Sequence, residues 1–210
     1  MNIKELDSLI FDVDGTIWDT TPVVAPAWNN ALIECGLSEY AHLTADDLKK
    51  LFGKPMNVII EAILPDQSPE KRLEFEKVCY IHEEDAVANI GGKLYPHIRE
   101  TIEALSKKYN LYIVSNCQSG YIETMLRVTK MEQFFKDHAC YGDEGLLKDQ
   151  NIHLIVERNN LKNPAYIGDT QGDADATAKA GLPFIHVTYG FGKVKDADCS
   201  INDIAELLTL

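Results

Sequence analysis

Hydrophobic residues along the chain form five short runs that alternate with longer segments of helical periodicity. The runs lie at residues 9–13, 111–115, 139–141, 165–167 and 184–187. Runs of this length are typical of buried strands, and strands separated by helices of about ten or more residues imply a parallel sheet with crossover helices. The pattern therefore predicts an α/β protein with helices flanking the sheet.

The segments between the runs have clear helix signals. Pro96 opens a predicted helix over 96–109, and further helices are predicted over 148–159 and 172–180. Gly181 ends the last of these, with Pro183 just beyond it. Asn202 is the expected cap of a final short helix over 204–208.

Residues 18–89 differ from the remainder because they show helical periodicity and no convincing strand. Helices are expected around residues 28–35, 48–52, 58–64 and 73–88. A block of this length directly after the first strand is not an ordinary crossover, and Gly91-Gly92 suits a hinge. We predict a core domain of residues 1–16 and 90–210, and an inserted all-helical cap domain of residues 17–89.

The charge balance restricts the classes of partner. Among 210 residues, 20 are Lys or Arg and 33 are Asp or Glu, which gives a formal net charge of −13. This excess of acid disfavours nucleic acid and anionic membranes as partners, but it leaves small phosphorylated molecules open. An anionic substrate would need a bound cation or a local lysine where it docks.

Composition also indicates the compartment. The five cysteines are scattered and form no Cys-x-x-Cys pair, which argues against both a disulfide framework and a zinc site. No apolar run approaches the roughly 18 to 20 residues of a membrane span, and charges at Lys4, Glu5 and Asp7 interrupt the N-terminal segment. We expect a cytoplasmic protein with reduced thiols.

The first apolar run ends in Asp12-Val13-Asp14-Gly15-Thr16. Side chains at positions i and i+2 of an extended chain share a face, so Asp12 and Asp14 can converge on one point. Gly15 lets the backbone turn sharply away. Such a pair can handle a cation and a proton together.

Three later stretches carry polar residues at or after predicted strands. Ser115 and Asn116 end the second strand, Lys148 opens a helix after the third, and Asp169 and Asp173 follow the fourth. Each has a simpler interpretation: a helix cap, a solvated lysine, or an acid that complements a helix N-terminus. Their placement favours the ligand crevice of an open parallel sheet, with oxygen ligands that suit Mg²⁺.

Taken together, the four stretches resemble motifs one to four of the haloacid dehalogenase superfamily in order and spacing, and the inserted helices resemble its C1 cap. The resemblance covers essentially the whole chain and is greatest to the phosphoglycolate phosphatase-like members. It implies a Rossmann-like core and a Mg²⁺-dependent phosphatase for a small phosphorylated metabolite. A monomer or homodimer is expected.

The resemblance also implies residue roles. Asp12 would be the nucleophile that forms an aspartyl phosphate, and Asp14 the general acid and base. Mg²⁺ would be held by Asp12, the backbone carbonyl of Asp14, and Asp169, with Asp173 acting through water or orienting the ligands from behind. The residues expected to hold the transferring phosphoryl group are Ser115, Asn116 and Lys148.

Some positions depart from the family pattern or stay ambiguous. Many relatives have proline after the motif-three lysine, whereas Asp149 and Gln150 follow it here. The loop Phe52-Gly53-Lys54-Pro55 resembles the glycine-containing cap loop, so Gly53 and Lys54 are candidate substrate contacts, although an exposed lysine at a helix break explains them equally well. Trp18 and Trp28 either face the crevice or form the core of the insertion, and large aromatic residues in a small helical domain favour the core. Cys117 is assigned no catalytic role.

Alternative activities remain. A phosphomutase of the β-phosphoglucomutase type would use the same acids and return the phosphate to its substrate. A dehalogenase or phosphonatase is disfavoured by the presence of Asp14, Asp169 and Asp173. A non-catalytic binding module with this fold is the alternative from a different class.

Overall fold

A computed structural model describes residues 5–209. Within this range, six strands form a parallel sheet, and two further short strands pair separately. The strands are β1 (Ser8–Phe11), β2 (Trp18–Asp19), β3 (Lys93–Leu94), β4 (Asn110–Ser115), β5 (Phe135–Cys140), β6 (Pro164–Gly168), β7 (Phe184–Val187) and β8 (Cys199–Ile201). The helices are α1 (Thr21–Glu34), α2 (Ala45–Lys49), α3 (Met56–Ile63), α4 (Pro69–Ile90), α5 (Ile98–Leu105), α6 (Tyr121–Thr129), α7 (Tyr141–Glu144), α8 (Lys148–Arg158) and α9 (Gln171–Lys179). The sheet order is β5-β4-β1-β6-β7-β8.

The predicted α/β class is confirmed, since each of the five apolar runs contributes to a strand of this sheet. β5 begins earlier than predicted, at Phe135, because its first residues are largely polar and only its end is fully buried. β8 and the short pair β2 and β3 were not predicted. Strands of two or three residues leave no usable periodicity.

Alternating side chains of β1 place its residues in two separate cores. Leu9 and Phe11 belong to the cluster that also contains Ile98 of α5. Ile10 points to the opposite face, where it belongs to a cluster with Ile152 and Ile155 of α8. Because both faces are covered, the central strand is hydrophobic at every position, as the continuous apolar run predicts.

The inserted segment leaves the sheet after β1 and returns at β3. Helix α1 packs on α4, and β2 pairs antiparallel with β3 at the base of the insertion. Gly91 ends α4 with a φ of 77°, a conformation that favours glycine. The division into a core of residues 1–16 and 90–210 and a cap of residues 17–89 stays a prediction, and residues 1–4 lie outside the described chain.

Two helix predictions need correction at their ends. The helix expected over 96–109 spans only Ile98–Leu105, since His97 has a left-handed φ of 60° that no α-helix continues. The final helix is a 3-10 helix at Ile204–Leu208. Its cap is Asp203, whose Oδ1 accepts a hydrogen bond from the Ala205 N–H at 2.9 Å, and not Asn202. Within residues 5–209, no helix is both long and apolar enough to cross a bilayer.

Gly142 of α7 gives a stability prediction for the loop after β4. A Cβ at this position would lie 2.1 Å from the Ser119 backbone nitrogen, and a backbone atom cannot move aside cheaply. Gly142→Ala should therefore lower the free energy of unfolding by about 1–3 kcal/mol in a urea titration. Gly172→Ala is the matched control, because its Cβ would meet only the Thr170 hydroxyl at 3.5 Å. Equal stability of the two variants would contradict the close approach.

Candidate active site

Four segments that are distant in sequence meet at the carboxyl-terminal edge of the sheet. Asp12 follows β1, Ser115 ends β4, Asp169 follows β6, and Lys148 is the first residue of α8. The chain builds the sheet outward from β1 in both directions, with β4 on one side and β6 on the other. The edge beside β1 is therefore the topological switch point at which open parallel sheets bind ligands.

Glycines allow the loops around Asp169 to approach closely. Gly15 has a φ of +87°, and a Cβ there would lie 2.2 Å from Asp169 Oδ2. A Cβ at Gly190 would lie 2.3 Å from the Asp169 Cβ. The backbone N–H of Phe191 donates to Asp169 Oδ2 at 2.6 Å, which fixes the orientation of the carboxylate. The motif-one glycine is thus required by both its backbone conformation and its neighbour.

Lys148 lies between two acids in the interior of the site. Its Nζ donates to Asp12 Oδ1 at 2.8 Å and to Asp173 Oδ1 at 2.5 Å. The lysine is only 5% exposed, and both carboxylates are buried. The Leu147 N–H donates to Gln150 Oε1 at 2.8 Å, so Gln150 supports the start of α8 where many relatives have proline nearby.

The buried charges perturb one another strongly. Burial raises the pKa of Asp12 to about 6, although Lys148 opposes the rise. Burial, with Asp173 and Asp12 adding to it, holds the pKa of Asp169 well above its usual range. Burial works against the charge of Lys148, yet Asp12 and Asp173 keep the pKa of its ammonium well above the ordinary value. Three acids thus share one lysine.

The same acids form a candidate metal centre. Carboxylate oxygens of Asp12, Asp169 and Asp173 lie within 4.8 Å of one another. Such a set of hard oxygen donors, only partly neutralised by Lys148, fits Mg²⁺. Both oxygens of Asp173 are already engaged, because Oδ2 accepts the N–H and hydroxyl of Thr170 at 2.9 and 2.6 Å. Both Asp173 oxygens therefore have hydrogen-bond partners within the protein, on Lys148 and Thr170.

The Asp14 side chain occupies a different environment from that of Asp12. Thr20 and Tyr121 each approach its Oδ1 at 2.8 Å through their hydroxyls. Burial raises the pKa of Asp14 to about 8, since the two hydrogen bonds only partly offset it and the nearby Asp12 and Glu83 raise it further. The pKa of Asp14 is therefore raised further than that of Asp12, whose carboxylate contacts the Lys148 ammonium.

Ser115 and Asn116, at the end of β4, lie between the carboxyl-terminal edge of the sheet and the inserted segment. Ser115 is buried and lines the cavity that contains Asp12 and Asp14. Asn116 Nδ2 donates to the carbonyl of Gly53 at 2.7 Å, so one of its two N–H groups joins the loop after β4 to the loop before α3. Lys54 lines the same cavity with an exposed side chain.

The cavity also includes residues that sequence reasoning assigned to the core or did not single out. Trp28 is buried, as expected, but it lines the cavity as well; Trp18 packs edge-to-face on Tyr121 with ring centroids 5.9 Å apart. Cys117 lines the cavity, and burial raises the pKa of its thiol well above the usual value, which disfavours the nucleophilic thiolate. The lining residues missed in the sequence are Met56, Ile59, Glu83, Gln118 and Tyr121.

These unpredicted residues share one property. They lie on helices or loops whose sequence pattern indicates burial but does not indicate which other element or cavity the side chain faces. Glu83 is one of several acids along the long helix α4, and nothing in the sequence distinguishes it from the exposed ones because its burial depends on the packing of α1 on α4. For Tyr121, the sequence offered one indication that it lies near the site: it follows Ser115 by six residues, at the start of α6.

Comparison with known proteins agrees with this arrangement. The model of the haloacid dehalogenase-like hydrolase family matches residues 9–187. The chain is 28% identical to a phosphoglycolate phosphatase of Aquifex aeolicus, over 89% of this chain and 86% of the relative. It is 27% identical to a phosphoglycolate phosphatase of Agrobacterium fabrum, over 94% and 89% of the two chains. The predicted enzyme class, a phosphatase, agrees with these relatives.

Solved structures confirm the fold. A haloacid dehalogenase-like hydrolase from Streptococcus pneumoniae superimposes with a TM-score of 0.85 at 21% identity, covering 98% of both chains. A predicted phosphoglycolate phosphatase from Haemophilus somnus also gives a TM-score of 0.85 at 21% identity, covering 97% of both chains. The family match spans most of the sequence and includes all four motifs, so the chain belongs to the haloacid dehalogenase-like hydrolase family.

Proposed function

We propose that this protein is a Mg²⁺-dependent phosphatase that hydrolyses a small phosphorylated metabolite through an aspartyl phosphate on Asp12. The observation that carries the proposal is the different surroundings of two neighbouring acids. The Asp12 carboxylate contacts the Lys148 ammonium. The Asp14 carboxyl instead contacts the hydroxyls of Thr20 and Tyr121. The pKa of Asp12 is about 6 and that of Asp14 about 8. The lower pKa of Asp12 suits a nucleophile and the higher pKa of Asp14 suits a proton donor, and ester cleavage needs both roles.

In the first step, a carboxylate oxygen of Asp12 attacks phosphorus and the bond between phosphorus and the ester oxygen breaks. Asp14 gives its proton to the departing oxygen, so the alcohol leaves neutral. The Lys148 ammonium, 2.8 Å from Asp12 Oδ1, orients the nucleophile and offsets negative charge at the phosphoryl group. This step leaves phosphate bonded to Asp12 and Asp14 ionised.

In the second step, Asp14 accepts a proton from water while the water oxygen attacks phosphorus. The bond between phosphorus and the Asp12 oxygen breaks, releasing inorganic phosphate and restoring both acids. The hydroxyls of Thr20 and Tyr121, each 2.8 Å from Asp14 Oδ1, hold the base in position in both steps. The cycle closes with no residue changed.

Mg²⁺ would be held by Asp12, the Asp14 carbonyl and Asp169, with Asp173 supporting them, and it would supply charge neutralisation to the phosphoryl oxygens. Ser115 and the remaining N–H of Asn116 would contact the same oxygens. The cap loop at Gly53 and Lys54 would limit access of bulk water. The relatives are named phosphoglycolate phosphatases, which supports a small phosphate monoester as the substrate class.

The activity prediction concerns Asp12 and the metal. With Mg²⁺, the purified protein should release inorganic phosphate from p-nitrophenyl phosphate, and excess EDTA should abolish release until Mg²⁺ is restored. Asp12→Asn should lower kcat by more than about a thousandfold, since the amide is not a nucleophile. Phosphate release is measured directly, together with p-nitrophenol.

Asp175→Asn is the matched control for this experiment, because Asp175 is an exposed acid of α9 whose carboxylate accepts from Gln171. It should retain the wild-type rate. Phosphate release that survives Asp12→Asn would contradict the nucleophile assignment. Interconversion of sugar phosphate isomers with little free phosphate would instead identify a mutase.

A second prediction follows from the raised pKa of Asp14, about 8 in the folded protein against 3.8 ordinarily. A carboxyl with a raised folded-state pKa stabilises the fold below its unfolded pKa, and this contribution is lost as pH rises through the folded value. Asp14→Asn does not titrate, so without metal it should gain stability over the wild type from about pH 4 upward. The gain should reach several kcal/mol and level off above pH 8, at about 1.4 kcal/mol per pKa unit.

Thermal melts in EDTA at pH 5, 7 and 9 measure this difference. Asp137→Asn is the control of opposite sign: burial alone would raise the pKa of Asp137, but hydrogen bonds from Asn159 and Arg158 lower it. Asp137→Asn should be less stable than the wild type at neutral pH, and this difference in stability should shrink as the pH falls. A pH-independent difference for Asp14→Asn would show that the Asp14 carboxyl is not perturbed in the fold.

A further inference from the structure

The inserted helix α4 places one acid in the cavity, Glu83, to which the proposed reaction assigns no role. Its side chain is buried, with only 3% of the residue exposed, and it lines the cavity together with Asp14 and Tyr121. Trp28 Nε1 donates to Glu83 Oε2 at 2.9 Å. Gln118, from the loop after β4, lines the same cavity. Glu83 is therefore held in a fixed position on the cap side of the cavity.

The environment of Glu83 contains hydrogen-bond donors but no opposite charge. Within residues 5–209, no lysine, arginine or histidine side chain lies within salt-bridge distance of its carboxyl. Burial raises the pKa of Glu83 to about 7, while Gln118 and Trp28 oppose the rise. A buried acid without a cation strongly disfavours a second negative charge and favours a donor.

The position of Glu83 relative to the catalytic acids identifies the part of the substrate it meets. Asp12 and Lys148 lie on the phosphoryl side, and Asp14 delivers its proton to the ester oxygen. Glu83 lines the same cavity as Asp14 and Tyr121, and the Tyr121 hydroxyl donates to Asp14 Oδ1 at 2.8 Å. Glu83 therefore borders the space beyond the ester oxygen, which the alcohol portion of the substrate occupies.

Lys54 is the cation that would favour an anionic alcohol portion, but its side chain is exposed at the cavity. Solvent and salt screen an exposed charge, whereas a buried one acts at low effective dielectric. The buried acid therefore dominates the interior of the cavity.

We propose that Glu83 determines specificity by selecting phosphate monoesters whose alcohol portion carries a hydrogen-bond donor, a hydroxyl or an ammonium group, and by rejecting those that end in a carboxylate. This inference rests on the proposed phosphatase function. Relatives of this chain are named phosphoglycolate phosphatases, and the alcohol portion of phosphoglycolate carries a carboxylate. The inference therefore predicts that this chain prefers a different substrate.

Three esters of nearly equal size test the inference: 2-hydroxyethyl phosphate, O-phosphoethanolamine and 2-phosphoglycolate. For the wild type with Mg²⁺ at pH 7.5, kcat/KM should be at least about tenfold higher for the better of the first two esters than for phosphoglycolate. Glu83→Gln should reduce this ratio by about tenfold or more, because the amide neither repels a carboxylate nor attracts an ammonium. The amide retains an acceptor for Trp28, so the variant keeps the local packing.

Glu84→Gln is the matched control, since it removes one negative charge from the adjacent, exposed position of α4. It should leave the ratio at the wild-type value. If wild type prefers phosphoglycolate, or if Glu83→Gln leaves the ratio unchanged, the inference is wrong. A loss of preference in both variants would assign it to net charge and would equally overturn the role of Glu83.

A binding measurement separates this inference from the proposed function. Calorimetry with Asp12→Asn and Mg²⁺ gives the affinity for each ester without turnover, and the double variant with Glu83→Gln gives the dependence on Glu83. The predicted order of affinities, together with no phosphate release by the wild type, would overturn the phosphatase proposal alone. Release with equal affinities and equal kcat/KM for all three esters would overturn the Glu83 inference alone.

Discussion

The buried ion pairs of Lys148 are the interaction on which the candidate site depends. Asp12, Asp169 and Asp173 are all enclosed, and one ammonium contacts two of them directly. Buried charges are costly unless they are paired, so the three acids depend on the position of Lys148, and the Mg²⁺ that we propose would neutralise the remaining negative charge. The start of α8, supported by Gln150, and the glycine approaches around Asp169 both serve that requirement.

The burial that makes the cluster costly also gives the two motif-one acids different pKa values. Asp12 and Asp14 are two residues apart on one loop, yet only Asp12 contacts Lys148, whereas Asp14 contacts neutral hydroxyls. Desolvation raises the pKa of both, and the lysine limits the rise at Asp12. The asymmetry between Asp12 and Asp14, to which we assign the roles of nucleophile and proton donor, therefore arises from what each side chain faces and not from residue type.

The sequence was sufficient to predict the sheet because buried parallel strands are continuous apolar runs, and residues at their carboxyl ends must meet at one edge. Asp12, Ser115 and Asp169 were found in this way. Short elements such as β2 and β3 escaped prediction because two residues have no periodicity. Tyr121 and Glu83 escaped because helical periodicity predicts burial without telling which other helix or cavity the buried side chain faces.

Catalysis and selectivity consequently have different physical origins in this chain. The groups that we propose to react lie at the ends of strands whose register the sheet fixes, and their geometry follows from the pairing of β1 with β4 and β6. Glu83 is positioned by the packing of α1 on α4 and by the Trp28 hydrogen bond. A change in that helix packing can alter the charge presented to the alcohol portion while the strand-borne acids keep their places. Family membership therefore constrains the chemistry of the phosphoryl group more tightly than the identity of the ester.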